Sequence, residues 1–194
     1  MKKEKQNKEK LEVKPKTIEE FKELIEKEGY FECWRAYGLT CFVYRYAPYG
    51  HWCGYVGVPK SHKLYGLNYT QASKSLTKLL EKRKRQKVNI KEMGLGPLLA
   101  MASSIEELKP TLEIVFDVHG GITFSGKPSV IWKVDNKWFF GFDTAHTGDL
   151  VCQILEKLSY KEKDFWLKES GYTYKTKEYV IQETNKLARQ ISEV

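Results

Sequence analysis

The stretch FDVHGGITFSGKPSVIWKVDNKWFFGFDTAHTGD, from Phe116 to Asp149, combines histidines, aspartates and glycines with two apolar, aromatic-rich runs. The runs are Leu112 to Phe116 and Trp138 to Phe142, and each predicts a buried strand followed by a polar turn that contains glycine. The two turns, residues 117–121 and 143–149, are therefore expected at strand ends. Strand ends and the loops after them are where a rigid scaffold usually presents a functional site.

Length and composition indicate an ordinary globular protein. The chain has 194 residues, with 41% hydrophobic and 13% aromatic residues, which is enough for one domain with a real core. We expect no membrane partner, because no apolar run approaches the roughly 18 residues that a membrane helix needs. The charged N-terminus lacks the apolar segment of a secretory signal, so the expected location is cytoplasmic, in the cytosol of the host cell.

The net charge indicates the class of partner, and the cysteine pattern indicates the redox state of the thiols. The net charge of +8 favours anionic partners such as nucleotides, phosphates or nucleic acid. The simpler alternative is that the N-terminal lysines and the basic run 82–87 are a solvated tail and a solvated helix face. The four cysteines form no CxxC pair and lack zinc-ligand spacing, so they are expected to be reduced and structural.

The pattern along the chain predicts an α+β fold. Residues 1–16 are expected to be a disordered basic arm, and residues 17–194 a single α+β domain with a helical insertion at about 70–109. Helix signals are a cap at Thr17 with Glu20 and a stop at Gly29. Further helices are expected at about 74–86, 98–109, 150–158, 161–168 and 175–191, and strands at about 39–46, 51–58, 111–118, 121–125, 129–134 and 137–142. Residues 30–36 are aromatic and expected to be extended. The sum is an antiparallel sheet of about five or six strands with helices on one face.

Four residues of the two polar turns are of types that bind transition metals, namely His119, Asp143, His146 and Asp149. No HExxH or other fixed ligand spacing accompanies them, and the sequence identifies no cofactor. The alternative is structural: the aspartates accept hydrogen bonds from turn amides, and His119 bonds a backbone carbonyl.

The same turns are compatible with metal-free acid–base chemistry. A histidine oriented by a carboxylate, such as His119 with Asp117 or His146 with Asp149, can take or give a proton. His51 and His62 are candidates for a second imidazole. Neither a GxSxG nucleophile motif nor a phosphate-binding glycine loop is present, so ATP binding of the Walker type is not expected.

Aromatic residues are concentrated in the first half of the chain. Such rings stack on bases, and neighbouring lysines can meet phosphates, although most aromatic residues pack in cores. The predicted ligand-binding residues are His51, Trp52, Tyr55, Lys60, His62, Tyr65, Asp117, His119, Asp143, His146 and Asp149. The expected ligand is a nucleotide-like small molecule.

Three motifs occur in a fixed order: HWCGYVGVP at 51–59, DVHGGITFSG at 117–126 and WFFGFDTAHTGD at 138–149. With the closing helix, they resemble a family of small cytosolic proteins encoded by tailed bacteriophages and prophages. The resemblance covers roughly residues 40–66 and 112–191. The family's link between the first two motifs is short, so residues 70–109 depart from its pattern. The resemblance brings no established catalytic residues, and it implies an anti-defence role, since many small phage proteins blunt host immunity.

Three hypotheses for the function follow. The first is a phage-encoded anti-defence protein that sequesters a nucleotide-derived immune signal of the host. The second is a hydrolase, metal-dependent or using His–Asp acid–base chemistry, such as a phosphodiesterase acting on that signal. The third is an inhibitor that docks on a host defence protein through the basic helical insertion. Homo-oligomer formation is left open.

Overall fold

The computed structural model describes residues 11–85, 109–130 and 136–194. In chain order the elements are β1 (Glu12–Val13), α1 (Ile18–Glu28), β2 (Phe31–Ala36), β3 (Leu39–Arg45), β4 (Trp52–Pro59), α2 (Lys74–Arg85), α3 (Leu112–Val115), β5 (Phe124–Gly126), β6 (Lys137–Asp143), α4 (Cys152–Leu155), α5 (Tyr160–Asp164), a π-helical turn (Phe165–Glu169), β7 (Tyr174–Lys175) and α6 (Lys177–Ser192).

The strands form two sheets. Five strands make an antiparallel sheet in the order β2-β3-β4-β6-β5, and β1 pairs with β7 in a two-stranded sheet. In the smaller sheet, Glu12 lies opposite Lys175 and Val13 opposite Tyr174. These two residues of β1 lie inside the stretch that the sequence predicts to be a disordered arm. The predicted α+β class with a five-stranded antiparallel sheet is confirmed.

The chain forms two compact units. Of the described residues, the first unit comprises 11–33, 42–54 and 143–182, and the second unit comprises 34–41, 55–85, 109–130, 136–142 and 183–194. In the first unit, Phe21 and Ile25 of α1 are fully buried. In the second unit, Leu76 of α2 and Phe139 of β6 are fully buried.

Helix α1 has the ends that its sequence predicts. The hydroxyl of Thr17 accepts a hydrogen bond from the backbone N–H of Glu20 at 3.1 Å. The Glu20 carboxylate reaches the N–H of Lys16 at 2.8 Å rather than that of Thr17, so the capping box is shifted by one residue. Gly29 ends the helix at φ 73°, a conformation that glycine adopts without strain.

The run Leu112 to Phe116 is not the predicted strand. Leu112–Val115 forms the short helix α3, and Leu112, Val115 and Phe116 are buried. These three positions have the spacing i, i+3, i+4 of one helix face, and a short apolar run satisfies this spacing as well as that of a buried strand. The N–H of Leu112 donates to the carbonyl of Tyr69 at 3.0 Å, so a backbone hydrogen bond joins the residues that flank the block 70–109.

Other boundaries shift or fall outside the described residues. The strand predicted at 121–125 is found at Phe124–Gly126, where Phe124 lies opposite Gly141 of β6. The predictions for 98–108 and 131–134 concern residues outside those described. In β4, a Cβ on Gly57 would lie 2.4 Å from Cε1 of Phe139. The absence of a side chain at Gly57 therefore leaves room for the Phe139 ring.

Candidate ligand-binding site

The loop 143–149 begins where β6 ends, and backbone contacts within the first unit anchor it. Thr144 donates its N–H to the carbonyl of Trp52 at 3.0 Å, and the Trp52 N–H donates to the Thr144 hydroxyl at 3.2 Å. At the far end, the N–H of Thr173 donates to the carbonyl of Gly148 at 3.0 Å. The loop is therefore tied to the chain at both of its ends.

The two aspartates of this loop shape its turn. Asp143 Oδ1 accepts the N–H of Ala145 at 3.1 Å, and Asp149 Oδ2 accepts the N–H of His146 at 3.0 Å. The structural role that the sequence allowed for both aspartates is thus present. The same two oxygens lie 3.7 Å and 3.8 Å from His146 Nδ1, which places this nitrogen between two carboxylates.

Asp149 is held in a buried network. Its side chain is only 2% exposed, and its Oδ1 lies 3.7 Å from Nζ of Lys175. Lys175 also pairs with Glu12 at 3.0 Å and donates to the hydroxyl of Thr173 at 2.7 Å. Lys175 lies beside one oxygen of Asp149 and the N–H of His146 bonds the other, so the carboxylate presents a negative charge to His146 from a fixed position.

His51 belongs to the same electrostatic neighbourhood. Its ring stacks on that of Tyr46, with centroids 5.4 Å apart and planes 21° from parallel. Burial lowers the pKa of His51 below its usual 6.5, while the charges of Asp143 and Asp149 act in the opposite direction. His51 is therefore a neutral imidazole at pH 7, with one ring nitrogen able to accept a hydrogen bond.

A cavity of about 350 Å³ opens beside this loop in the first unit. Its polar end is formed by loop residues, including His146, Thr147 and Asp149. The rest of the wall is apolar or aromatic and comes from the segment after the loop and from the π-helical region, namely Leu150, Val151, Ile154, Leu155, Leu158, Trp166 and Tyr172. An apolar cavity with a few polar groups at one end is the usual form of a small-molecule site.

Trp166 and Tyr172 form an aromatic corner that the sequence analysis missed. Their ring centroids are 4.7 Å apart and their planes meet at 65°. Trp166 lies in the π-helical turn Phe165–Glu169, a rare backbone form that is frequently found at functional sites. The sequence signal that could have identified this region is the adjacent pair Phe165 and Trp166 in an otherwise polar segment.

The predicted residues of the other polar turn, Asp117 and His119, lie in the second unit. Asp117 has an ionic partner there. Asp117 Oδ2 pairs with Nζ of Lys186 at 2.8 Å, and its N–H donates to Gln190 Oε1 at 2.9 Å. The N–H of His119 donates to Glu183 Oε2 at 2.8 Å. Two side chains of α6, Gln190 and Glu183, thus accept hydrogen bonds from the backbone of this turn.

The remaining predicted residues of the second unit lie around β4 and the loop after it. Tyr55 packs edge-to-face on Phe124, with centroids 5.5 Å apart, and Lys60 is exposed. His62 Nδ1 accepts the N–H of Leu64 at 3.2 Å, and burial lowers the pKa of His62. Tyr65 follows in the same loop. None of these contacts by itself defines a ligand site.

Trp52 lies in the core of the first unit. It is fully buried, and its Nε1 donates to Glu28 Oε2 at 3.1 Å and to the Tyr174 hydroxyl at 3.0 Å. The guanidinium of Arg45 lies over its ring at 4.3 Å from the centroid. In this position Trp52 supports the site through its backbone contact with Thr144.

Imidazole nitrogen and carboxylate oxygen are also the donor types that a transition metal takes. Among the loop residues, His146 and Asp149 place such donor atoms within 4.8 Å of each other. The aspartate oxygens nearest to His146 already accept turn amides, so a metal would share them with the backbone.

Comparisons with known proteins identify no relative. No protein-family model matches the sequence, and neither a curated protein nor a solved structure matches the chain. None of the helices in the described part of the chain has the length and apolar character needed to cross a bilayer.

Proposed function

We propose that this protein binds a small nucleotide-type ligand in the cavity beside loop 143–149. The observation that carries the proposal is the pairing of an aromatic corner, Trp166 and Tyr172, with an imidazole that lies between two carboxylates. The cavity volume of about 350 Å³ falls in the range of small-molecule sites.

The chemistry of the wall favours the base of the ligand rather than its phosphate. A flat heterocycle can stack on Trp166, and base–aromatic stacking is worth about 1–3 kcal/mol. The polar end includes the Asp149 carboxylate, whose negative charge repels phosphate but can accept a hydrogen bond from an exocyclic amine. A ligand oriented in this way has its amino group at the loop and its phosphates toward solvent.

The proposed biological role is sequestration. The resemblance to small phage proteins suggests an anti-defence protein that withdraws a nucleotide-derived signal from the infected cell. Binding without turnover suits a site whose two carboxylates accept turn amides and so help to build the loop.

A second candidate function is hydrolysis of the same ligand. It is favoured by the buried Asp149 carboxylate, 2% exposed, at 3.8 Å from His146 Nδ1. A carboxylate beside an imidazole can support general acid–base catalysis once the two groups are hydrogen-bonded. The two functions predict different fates for the ligand.

One experiment separates them. The protein is incubated with a panel of cyclic and linear nucleotides, and the solution is chromatographed before and after heat denaturation of the protein. Depletion of one nucleotide followed by its intact release supports sequestration, and an altered product supports hydrolysis. If no nucleotide is depleted, the proposal fails and an inhibitor that binds a host protein becomes the preferred hypothesis.

A matched pair of variants locates the binding. Trp166→Ala removes the stacking surface, whereas Tyr160→Ala removes an aromatic ring that is 82% exposed and does not line the cavity. We expect the first variant to lose depletion of the nucleotide and the second to retain it. Equal depletion by both variants would place the ligand elsewhere.

A further inference from the structure

The second unit carries a basic groove that is separate from the cavity described above. It has a volume of about 240 Å³ and is lined by Lys63, Lys74, Ser75, Lys78, Leu79, Lys82, Glu193 and Val194. Three of the lysines, Lys74, Lys78 and Lys82, follow one another at intervals of four residues along α2 and are exposed. We call these three residues the lysine row.

The lysine row has a defined geometry, because α2 is held in place by its opposite face. Leu76, Leu79 and Leu80 are at most 4% exposed. Arg83 fixes the end of the helix by donating to the carbonyl of Val115 at 2.8 Å. Residues four apart are neighbours on the surface of a helix, and eight residues span about 12 Å, so the row places three ammonium groups in succession along one side of α2.

This arrangement is unfavourable for the isolated protein. Like charges four residues apart destabilise a helix, and a positive charge near its N-terminus opposes the helix dipole. Lys74 opens α2, whose first turn contains no acidic residue. Glu193, the carboxylate that lines the groove, is held by Arg83 at 3.0 Å. Within the described residues, none of the row lysines forms an ion pair with a carboxylate.

The fourth lysine enters the groove from the loop after β4. Lys63 donates from Nζ to the main-chain oxygen of Val194, which holds its ammonium group at the rim. Four positive charges therefore surround a concave surface with one side-chain carboxylate, that of Glu193, among its described lining residues. An anion bound there would relieve the repulsion within the row and would gain from every one of these charges.

We propose that the lysine row binds the phosphates of a single nucleic-acid strand. A line of ammonium groups matches a linear chain of phosphates, and lysine serves phosphate as a compact point charge. The cores of protein–protein interfaces, by contrast, are depleted in lysine and enriched in arginine and aromatic residues. We expect this binding to be independent of base sequence, because contacts to phosphates position a strand without distinguishing its bases.

The test is binding of a fluorescein-labelled, mixed-sequence single-stranded DNA, followed by anisotropy between 50 and 200 mM salt. The row variant carries Lys74→Gln, Lys78→Gln and Lys82→Gln. Each phosphate that a single strand presents to a lysine contributes about 0.7 to the slope of log affinity against log salt. The row should therefore contribute about 2, and the wild type should lose about 20-fold more affinity than the row variant over this salt range.

The control variant removes the same charge elsewhere. It carries Lys27→Gln, Lys157→Gln and Lys161→Gln, three exposed lysines of the first unit. We expect its affinity and salt slope to equal those of the wild type. A loss equal to that of the row variant would overturn the proposal, because net charge alone would then explain the binding.

Three further outcomes complete the test. Failure of the wild type to bind the DNA at 50 mM salt overturns the proposal, and so does tighter binding of poly-glutamate than of the DNA, which would assign the row to an acidic polypeptide. We expect the melting temperature of the row variant to equal or exceed that of the wild type, because like-charge repulsion is removed. A lower melting temperature would contradict the account of the row as strained.

Discussion

Glu28 is the acceptor at the centre of a buried network in the first unit. Its Oε2 accepts hydrogen bonds from Arg45 Nη2 at 2.9 Å, from Trp52 Nε1 at 3.1 Å and from the Tyr174 hydroxyl. Its Oε1 accepts the N–H of Lys177 at 3.0 Å. Glu28→Gln keeps the shape of the side chain but removes the charge and turns one acceptor into a donor. One donor of the network must then lose its partner.

The expected cost follows from burial. The side chain of Arg45 is 0% exposed and that of Glu28 13%. Removing one partner of a buried ion pair costs about 3–5 kcal/mol, because the other charge is left without compensation. For a chain of this size, 1 kcal/mol corresponds to about 2–4 °C, so the melting temperature should fall by about 6–20 °C.

The assay is thermal unfolding by circular dichroism, with Glu32→Gln as the control. Glu32 pairs with Lys177 Nζ at 3.1 Å but is 46% exposed, so its loss should cost about 0–1 kcal/mol. Hydrogen exchange at the N–H of Thr144 should also accelerate in Glu28→Gln, because its acceptor is the carbonyl of Trp52. Equal melting temperatures for the two variants would refute the assignment of the network as a buried support of the site.

Three further predictions concern single residues. Because burial lowers the pKa of His51 in the folded protein, the unfolded chain binds a proton at this residue more readily. The free energy of unfolding should therefore fall as the pH drops below about 6.5, and it should fall less steeply in His51→Gln. Identical pH profiles for the two proteins would contradict this prediction. A thiol reagent should modify the exposed Cys33 at once but Cys152 only after unfolding, because Cys152 is buried and burial raises the pKa of its thiol to about 11. Prompt reaction at Cys152 would contradict its burial. Gly57→Ala should destabilise the protein by about 1–3 kcal/mol in urea unfolding, because its Cβ would lie 2.4 Å from the Phe139 ring; an unchanged midpoint would show that the ring shifts freely.

Local signals in the sequence predicted the elements whose limits are marked by capping residues or whose apolar runs are long. Helix α1 was found because Thr17 and Gly29 mark its limits, and β3, β4 and β6 because their apolar runs are long. The run from Leu112 to Phe116 was assigned wrongly as a strand, because so few residues cannot distinguish the two periods. The pairing of Glu12 and Val13 was missed, because so short a strand is defined by its partner rather than by its own sequence.

In the candidate site, too, local sequence predicted some parts, and the parts that depend on tertiary packing were missed. The loop 143–149 was predicted because its aspartates, histidine and glycine are contiguous. The aromatic wall was not predicted, because Trp166 and Tyr172 lie about 20 residues further along and reach the loop only through tertiary packing. Trp52 was predicted as a ligand contact from its type alone, and its burial against Arg45 depends on partners distant in the sequence.

The affinity of Trp166→Ala for the nucleotide that the wild type depletes tests the central claim most directly. Isothermal titration of this nucleotide into the wild type, Trp166→Ala and Tyr160→Ala compares the cavity wall with an exposed ring of the neighbouring helix. Loss of base stacking predicts that Trp166→Ala binds about 5- to 150-fold more weakly, corresponding to about 1–3 kcal/mol, while Tyr160→Ala binds like the wild type. Equal affinities for all three proteins would contradict the assignment of the ligand site to this cavity.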